Sequence, residues 1–266
     1  MRYVMVSDIH GQFDRLLEAL DAAKFDINND TIVSLGDPFD RGPQSWEVLE
    51  FLMGCPNRIL IWGNHDLRLK ELVNRAYAQA YDYTNGVLAT VQSLCKNKNI
   101  ASIDLGLNIL RTDSRYEDTY DLLWQYFNEC VFAAEWKDLI ATHGWLPGEP
   151  WVEKKGNDWE YIYILYDNWR NASWSEWVDA TWGNTQRAVK TDAFPDKHIV
   201  VGHWHAWRLR YRNTPVRELP DAPDCSIYTE QNFTAIDGCS NAAFGLVNAF
   251  VYESDDAPQL FDGKAC

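Results

Sequence analysis

The chain has 266 residues, 46% of them hydrophobic and 14% aromatic, which is enough apolar material for a large core and excludes a disordered chain. Its formal charge of -15 argues against a nucleic-acid polymer as partner, because binding a phosphate backbone rests on basic surface. No apolar run approaches the ~20 residues that span a bilayer, so no membrane partner is expected, and the start MRYVMVSD turns polar too soon for a secretion signal.

Along the chain, Tyr3-Val4-Met5-Val6 predicts a short strand, followed by a helix with Phe13, Leu16, Leu17 and Leu20 at helical spacing. TIVSL (31–35) is a β-branched run that ends at Gly36-Asp37. SWEVLEFLMG (45–54) has helical periodicity with Gly54 at its stop, and RILIW (58–62) is a third strand closed by Gly63-Asn64. LRLKELVNRAYAQAY (67–81) opens a helical region that extends to about 127. This alternation predicts an α/β fold with a βαβ sheet covered on both faces. DLIATHG (138–144) and KHIVVGHWH (197–205) are again strands ending in polar residues. FTAIDG (233–238) and GLVNAFVYE (245–253) predict a terminal strand pair, and the tail from Ser254 a frayed end.

Seven of the thirteen tryptophans fall between Trp145 and Trp182. The stretch 145–195 predicts an inserted helical subdomain with aromatics packed on themselves, or an aromatic wall over a pocket. No linker or repeat divides the chain, so a single domain over 1–266 is expected. The six cysteines are scattered with no CxxC pair, which predicts reduced, packed thiols in a cytoplasmic protein.

The strand ends share one property. They carry Asp8-x-His10, Gly36-Asp37-x-x-Asp40-Arg41-Gly42, Gly63-Asn64-His65-Asp66, His143-Gly144 and Gly202-His203-x-His205, which hold five of the six histidines. In an open α/β sheet the C-terminal strand ends converge on one edge, where ligands bind. Aspartate, imidazole and an asparagine carbonyl without thiolate suit manganese, iron or zinc. Asp8, His10, Asp37, Asn64, His143, His203 and His205 are too many donors for one tetrahedral ion and about right for two. Taken singly, a DIH or HG is more often a turn or a cap; the ordered series is what points to a site.

This series resembles the calcineurin-like metallophosphoesterases, and within them the phosphoprotein-phosphatase branch. The resemblance covers roughly 1–70 and 138–253. It implies a β-sandwich flanked by helices in αββα layers, with the active site at the C-terminal strand ends. It implies a first metal on Asp8, His10 and His205, a second on Asn64, His143 and His203, and Asp37 bridging the two. His65 falls where the family has its general acid, Asp40 where it has the orienting carboxylate, and Arg41 where it has a phosphate-binding arginine. The implied activity is that of a dinuclear metal-dependent phosphatase, with Mn²⁺ as the leading metal and Fe or Zn as alternatives, hydrolysing phosphomonoesters by a metal-activated hydroxide.

The substrate stays open between two branches. GNHD stands where protein phosphatases carry GNHE, and RGPQSWEVLEFL, HGWLPGEPW and IDGCSNAAFGLVNAF also resemble the symmetrical diadenosine tetraphosphatases. That branch tends to lack the aspartate kept here as Asp40 and the second histidine of GHxH. The expected partner is thus a phosphoprotein, a small phosphate ester or a dinucleotide; a silent metal-binding scaffold is the third reading. Arg187, with Arg170 in reserve, is the candidate for a further phosphate-binding arginine, against the plain alternative of a surface residue.

Overall fold

The computed structural model describes residues 1–155 and 158–264. The order begins β1 (Arg2–Val6), α1 (Phe13–Ala22), β2 (Thr31–Ser34), α2 (Ser45–Gly54), β3 (Arg58–Leu60) and α3 (Asn64–Arg75). Four helices follow, α4 (Ala80–Thr84), α5 (Val87–Leu94), α6 (Ile103–Thr112) and α7 (Glu117–Glu129), then β4 (Ala133–Glu135) and β5 (Leu139–Thr142). The Trp-rich stretch holds β6 (Gly148–Lys155), β7 (Asp158–Leu165), α8 (Trp174–Thr181) and α9 (Thr185–Lys190). The chain closes with β8 (His198–Val201), α10 (Ala206–Arg210), β9 (Tyr228–Thr229), β10 (Phe233–Ala235), β11 (Ala249–Glu253) and β12 (Gln259–Phe261).

Two mixed sheets form, ordered β11-β1-β2-β3 and β12-β4-β5-β8-β10-β9. Within them β1, β2 and β3 run parallel, as do β5, β8 and β10. Period-two alternation decides which face each side chain takes. Tyr3, Met5, Val33 and Leu35 meet Ala134, Leu139, Ala141 and Val200 in a core between the sheets. Their neighbours Val4, Val6 and Ile32, and on the other sheet Ile140, Ile199 and Val201, join the helical layers, including Leu16, Val48, Trp177 and Leu209. The result is the helix–sheet–sheet–helix layering that the sequence led us to expect.

Four expectations need correcting. The stretch 145–195 is not a helical subdomain throughout. It opens with a hairpin in which Gly148 pairs with Leu165 and Lys155 with Asp158, because Tyr161-Ile162-Tyr163-Ile164 is a β-branched and aromatic run that prefers a pleated surface. Segments 233–238 and 245–253 do not pair with each other; β10 lies beside β8 and β11 beside β1, in different sheets. The tail is not frayed, since β12 pairs with β4 and buries Phe261. Helix α3 begins at Asn64 rather than near 67 and stops at Arg75. Cys55, Cys95, Cys130, Cys225 and Cys239 are buried and free; Cys266 lies outside the described residues. No helix is long and apolar enough to cross a membrane.

The inter-sheet core sets a stability expectation. Met5 is fully buried, so Met5→Ala removes packed atoms from both sheets and costs about 2–5 kcal/mol. Leu260 is exposed, and its alanine variant changes stability by less than ~0.5 kcal/mol. Urea titration of the two variants reads the difference, and equal losses would contradict this layering.

Candidate metal centre and active site

Every parallel strand delivers a polar residue just past its C-terminal end. Asp8 and His10 follow β1, Asp37 follows β2, Asn64 and His65 follow β3, His143 follows β5 and His203 follows β8. A sixth strand does the same: Asp237 follows β10 and is buried. The turns are strained in a common way. Asp8, His10, Asp37, Asp40, Arg41 and His203 have φ between +49° and +69°, a region that costs a non-glycine residue roughly 1–3 kcal/mol and persists only where the surroundings enforce it.

Asp37 is the hub. Its Oδ2 lies 3.5 Å from His143 Nε2, 3.9 Å from His10 Nε2 and 4.0 Å from His65 Nε2. Its Oδ1 accepts the backbone N–H of His65 at 2.9 Å. Asp66 clamps the two turns from behind, with Oδ2 accepting the N–H of Asp37 at 3.1 Å and of Gly63 at 2.8 Å. The turns touch so closely that a Cβ on Gly63 would stand 2.0 Å from Asp37 Oδ1. Only glycine fits there.

His10, His143 and His205 are oriented through Nδ1, and Nε2 of His10 and His143 faces Asp37. Nδ1–H donates to Phe39 O at 2.8 Å in His10, to Leu35 O at 2.6 Å in His143 and to Asp237 Oδ2 at 2.9 Å in His205. That is the outer-shell pattern of metal-ligating imidazoles. Asn64 Oδ1 lies 3.0 Å from His143 Nε2. Among the described residues, His10, Asp37 and His65 form one group of donor atoms within 4.8 Å of one another, and Asp37, His143 and His203 a second.

Beside this cluster sits a relay. His65 Nδ1–H donates to Asp40 Oδ2 at 2.8 Å, and Arg41 spans His10 Nε2 at 2.7 Å and His65 Nε2 at 3.0 Å. Thr90 on α5 holds Asp40 twice: its hydroxyl donates to Asp40 Oδ1 and accepts the Asp40 N–H, both at 2.8 Å. Gly86, just before α5, accepts the N–H of Arg41 at 3.2 Å. The helical region is thus the positioning device for Asp40 and Arg41.

Burial dominates the charges. It holds His10 neutral, down to about 3, against Asp37 and with Arg41's help. His203 is likewise pushed down to about 3 by burial and by His143. Burial also opposes charge on Asp37, but His143, His65 and His10 overcome it and hold that carboxyl well below its ordinary range. Asp8 rises to about 7 through burial and the nearby Asp237, and Asp66 to about 8 through burial and Asp37. Burial opposes a charged His143, yet Asp37 lifts it to about 10. His65 is raised despite burial, by Asp37 and Asp40.

The donor set therefore fits divalent cations. Asp8, Asp37, Asp40, Asp66 and Asp237 are all buried, a concentration of carboxylates that a water-excluded site does not sustain without cations or protons.

The placement of the predicted residues is uneven. His10, Asp37, Asn64, His65, His143 and His203 meet directly, with Asp40 and Arg41 on His65. Asp8 and His205 stand one step out: Asp8 Oδ2 accepts the His203 N–H at 2.9 Å, and His205 is tied to Asp237. Arg170 is elsewhere, paired with Glu135 at 2.5 Å. Arg187 stacks over Tyr161 at 4.4 Å, in a cavity that includes Trp182 rather than on the cluster. Sequence reading passed over Asp237, Thr90 and Ser240, whose hydroxyl donates to Asp8 O at 2.5 Å. Asp237 alone had a legible signal, a strand ending in Asp-Gly like the others.

The profile of one family, described as calcineurin-like phosphoesterase, matches residues 1–207. A bis(5'-nucleosyl)-tetraphosphatase, symmetrical, from Tolumonas auensis is 26% identical over 238 residues, covering 77% of this chain and 83% of that protein. The protein of the same description from Buchnera aphidicola is 39% identical over 73 residues, 27% of this chain and 26% of that one, so the chain matches about a quarter of its length. A solved cold-active protein-tyrosine phosphatase from a psychrophilic Shewanella is 17% identical, overlaps 99% of this chain and 78% of its own, and has a TM-score of 0.49.

Two expectations follow from the geometry. In the folded, metal-free chain Asp8, Asp66 and His143 keep their protons to about 7, 8 and 10, whereas unfolded they titrate near ~4 and ~6.5. Folding then takes up protons between pH ~6.5 and ~8, so stability of the metal-free protein falls as pH rises through that window. Cations displace those protons, so stripping them with chelator lowers Tm more at pH 8 than at pH 6.5; thermal melts at both values test this, and equal drops would refute it. Separately, Thr90→Val leaves Asp40 unsupported, and kcat for phosphate-ester hydrolysis falls about tenfold or more while Tm drops by only a few degrees, with Thr90→Ser retaining most of the rate.

Proposed function

The chain belongs to the calcineurin-like phosphoesterase family, and on that premise we propose that its strand-end cluster is a dinuclear metal site hydrolysing phosphate esters. His10, Asp37, Asp8 and His205 would hold one divalent cation, and Asn64, His143, His203 and Asp37 the other. Mn²⁺ is the leading candidate for both, with Fe or Zn as alternatives that the same oxygen and nitrogen donors accept. When bound, such ions supply Lewis acidity and lower the pKa of water.

The observation that carries the reading is the His65–Asp40 contact at 2.8 Å with Arg41 across the same face. Neither Asp40 nor Arg41 is needed to hold a cation. Arg41 offers two N–H groups in a plane, which suits two oxygens of one phosphate. Asp37 and Asp40 raise the affinity of His65 for a proton against the effect of burial, which suits it to deliver one to the departing ester oxygen, a step worth ~10²–10⁴-fold. Asp40 orients the ring through its hydrogen bond to Nδ1–H. Burial of the cluster strengthens each of these interactions.

The leading substrate class is a phosphomonoester, on a protein or a small molecule. A second reading, a dinucleoside polyphosphate, draws on the description of the Tolumonas relative and on Trp182, whose ring lies 6.0 Å from that of His203. Trp182 and Trp174 are exposed, while Trp145, Trp169 and Trp177 are buried in the core.

Hydrolysis of p-nitrophenyl phosphate by metal-stripped protein, with and without Mn²⁺, tests the proposal. Turnover should require the cation and fall at least ~100-fold in His65→Ala. A metal-loaded His65→Ala protein that keeps the full rate would remove His65 from the chemistry. A loaded wild-type protein inert toward both the aryl ester and dinucleotides would favour a silent scaffold.

A further inference from the structure

One strand-end histidine is held unlike the others. His10, His143 and His205 donate through Nδ1–H to Phe39 O, Leu35 O and Asp237 Oδ2, and His65 donates to Asp40 Oδ2. Among the described residues, neither ring nitrogen of His203 has a hydrogen-bond partner; only its backbone is tied, with the N–H donating to Asp8 Oδ2 at 2.9 Å. That tie and the strained φ of +61° fix where the His203 side chain starts, not where its ring points. A ligating imidazole ordinarily has its outer nitrogen fixed, because that bond sets the orientation and tautomer of the ring.

His203 is surrounded by rings instead. The His143 centroid lies 5.1 Å from its own, that of Trp204 5.9 Å and that of Trp182 6.0 Å. The two indoles stand at 87° and 82° to the imidazole, the edge-to-face geometry that aromatic pairs prefer to a flat sandwich. Both indoles are themselves anchored. Arg68 on α3 lays its guanidinium 4.4 Å from the Trp182 ring centre and 5.0 Å from that of Tyr81, which pins Trp182 from a second helix. The backbone N–H of Trp204 donates to Gly202 O at 2.6 Å. Its indole Nε1 is buried with no acceptor among the described residues. Buried indole N–H groups ordinarily find a partner, so this ring keeps its place despite an unmade hydrogen bond. What it meets there is His203.

We propose that Trp204 and Trp182 are positioning residues for His203, an aromatic clamp that stands where the other histidines have a hydrogen-bond acceptor. This rests on the dinuclear reading of the cluster. The clamp serves one cation and spares the other. His203 belongs with Asn64, His143 and Asp37, whereas the rings beside His10 and His205 are those of His65 and Trp207.

Calorimetric titration of the metal-stripped protein with Mn²⁺ reads the clamp without turnover. The wild type should bind two ions. Trp204→Ala and Trp182→Ala should each weaken one of them about tenfold or more, the usual effect of losing an outer support, and leave the other unchanged. Trp204→Phe and Trp182→Phe should keep most of the affinity, since a phenyl ring can restore the perpendicular contact. In a His203→Ala background the alanine substitutions should have no further effect on Mn²⁺ binding, because the clamp acts through that ring alone. Unchanged affinity in both alanine variants, an equal loss at both ions, or losses that add to that of His203→Ala would overturn the proposal. The two readings fail separately: a selective Mn²⁺ loss without phosphate-ester turnover removes only the hydrolase, and turnover with Mn²⁺ affinity indifferent to both tryptophans removes only the clamp.

Discussion

The carboxylate of Asp66 holds the site together without facing it. By accepting the N–H groups of Asp37 and Gly63 at once, it fixes the distance between the turns after β2 and β3. Asp37 repeats the tie in the opposite direction through the N–H of His65. With those turns locked, Asp37 has little choice but to place its second oxygen within 4.0 Å of three imidazoles. The strained φ values are the visible cost of that arrangement. Turn backbone that would relax in water is instead overdetermined by buried hydrogen bonds, which are worth most where no water competes.

The two halves of the machinery are supported by different parts of the chain. The donor cluster stands on the parallel strands, whose rigidity comes from the inter-sheet core of Tyr3, Met5, Val33, Ala141 and Val200. Asp40 and Arg41 depend on the helical region, through Thr90 and Gly86. The ground that would meet a substrate's distal parts comes from a third source, α3 and the Trp-rich stretch.

Much of this was legible in the sequence because strand and polar turn recur with the same grammar. Five such joints were read from DIHG, GDPFDRG, GNHD, HG and GHWH, and each falls at the end of a parallel strand. The sixth, IDG at Asp237, is not legible as a joint because its strand equally fits one half of a terminal strand pair. Pairing between β10 and β8 is set by tertiary packing, which local pattern does not encode. Thr90 was invisible for another reason: a threonine inside an apolar helix carries no sign of which loop it will meet fifty residues away. The hairpin over 148–165 was missed because tryptophans and charges masked the alternation of Tyr161, Ile162, Tyr163 and Ile164.

The separation of β10 and β11 into different sheets has a consequence for how the molecule comes into being. Between them runs the segment with Asp237 and Ser240, and Ser240 reaches back to the backbone of Asp8 and Ile9. The last strands therefore stitch the second sheet to the first strand of the first. During synthesis, at ~5–20 residues per second, Asp8, Asp37, Asn64 and Asp66 emerge many seconds before His143, His203 and Asp237. For that interval the nascent chain carries a half-built ring of carboxylates with no partner strands to bury it. Closure of the cluster thus waits until β8 and β10 have emerged and packed beside β5.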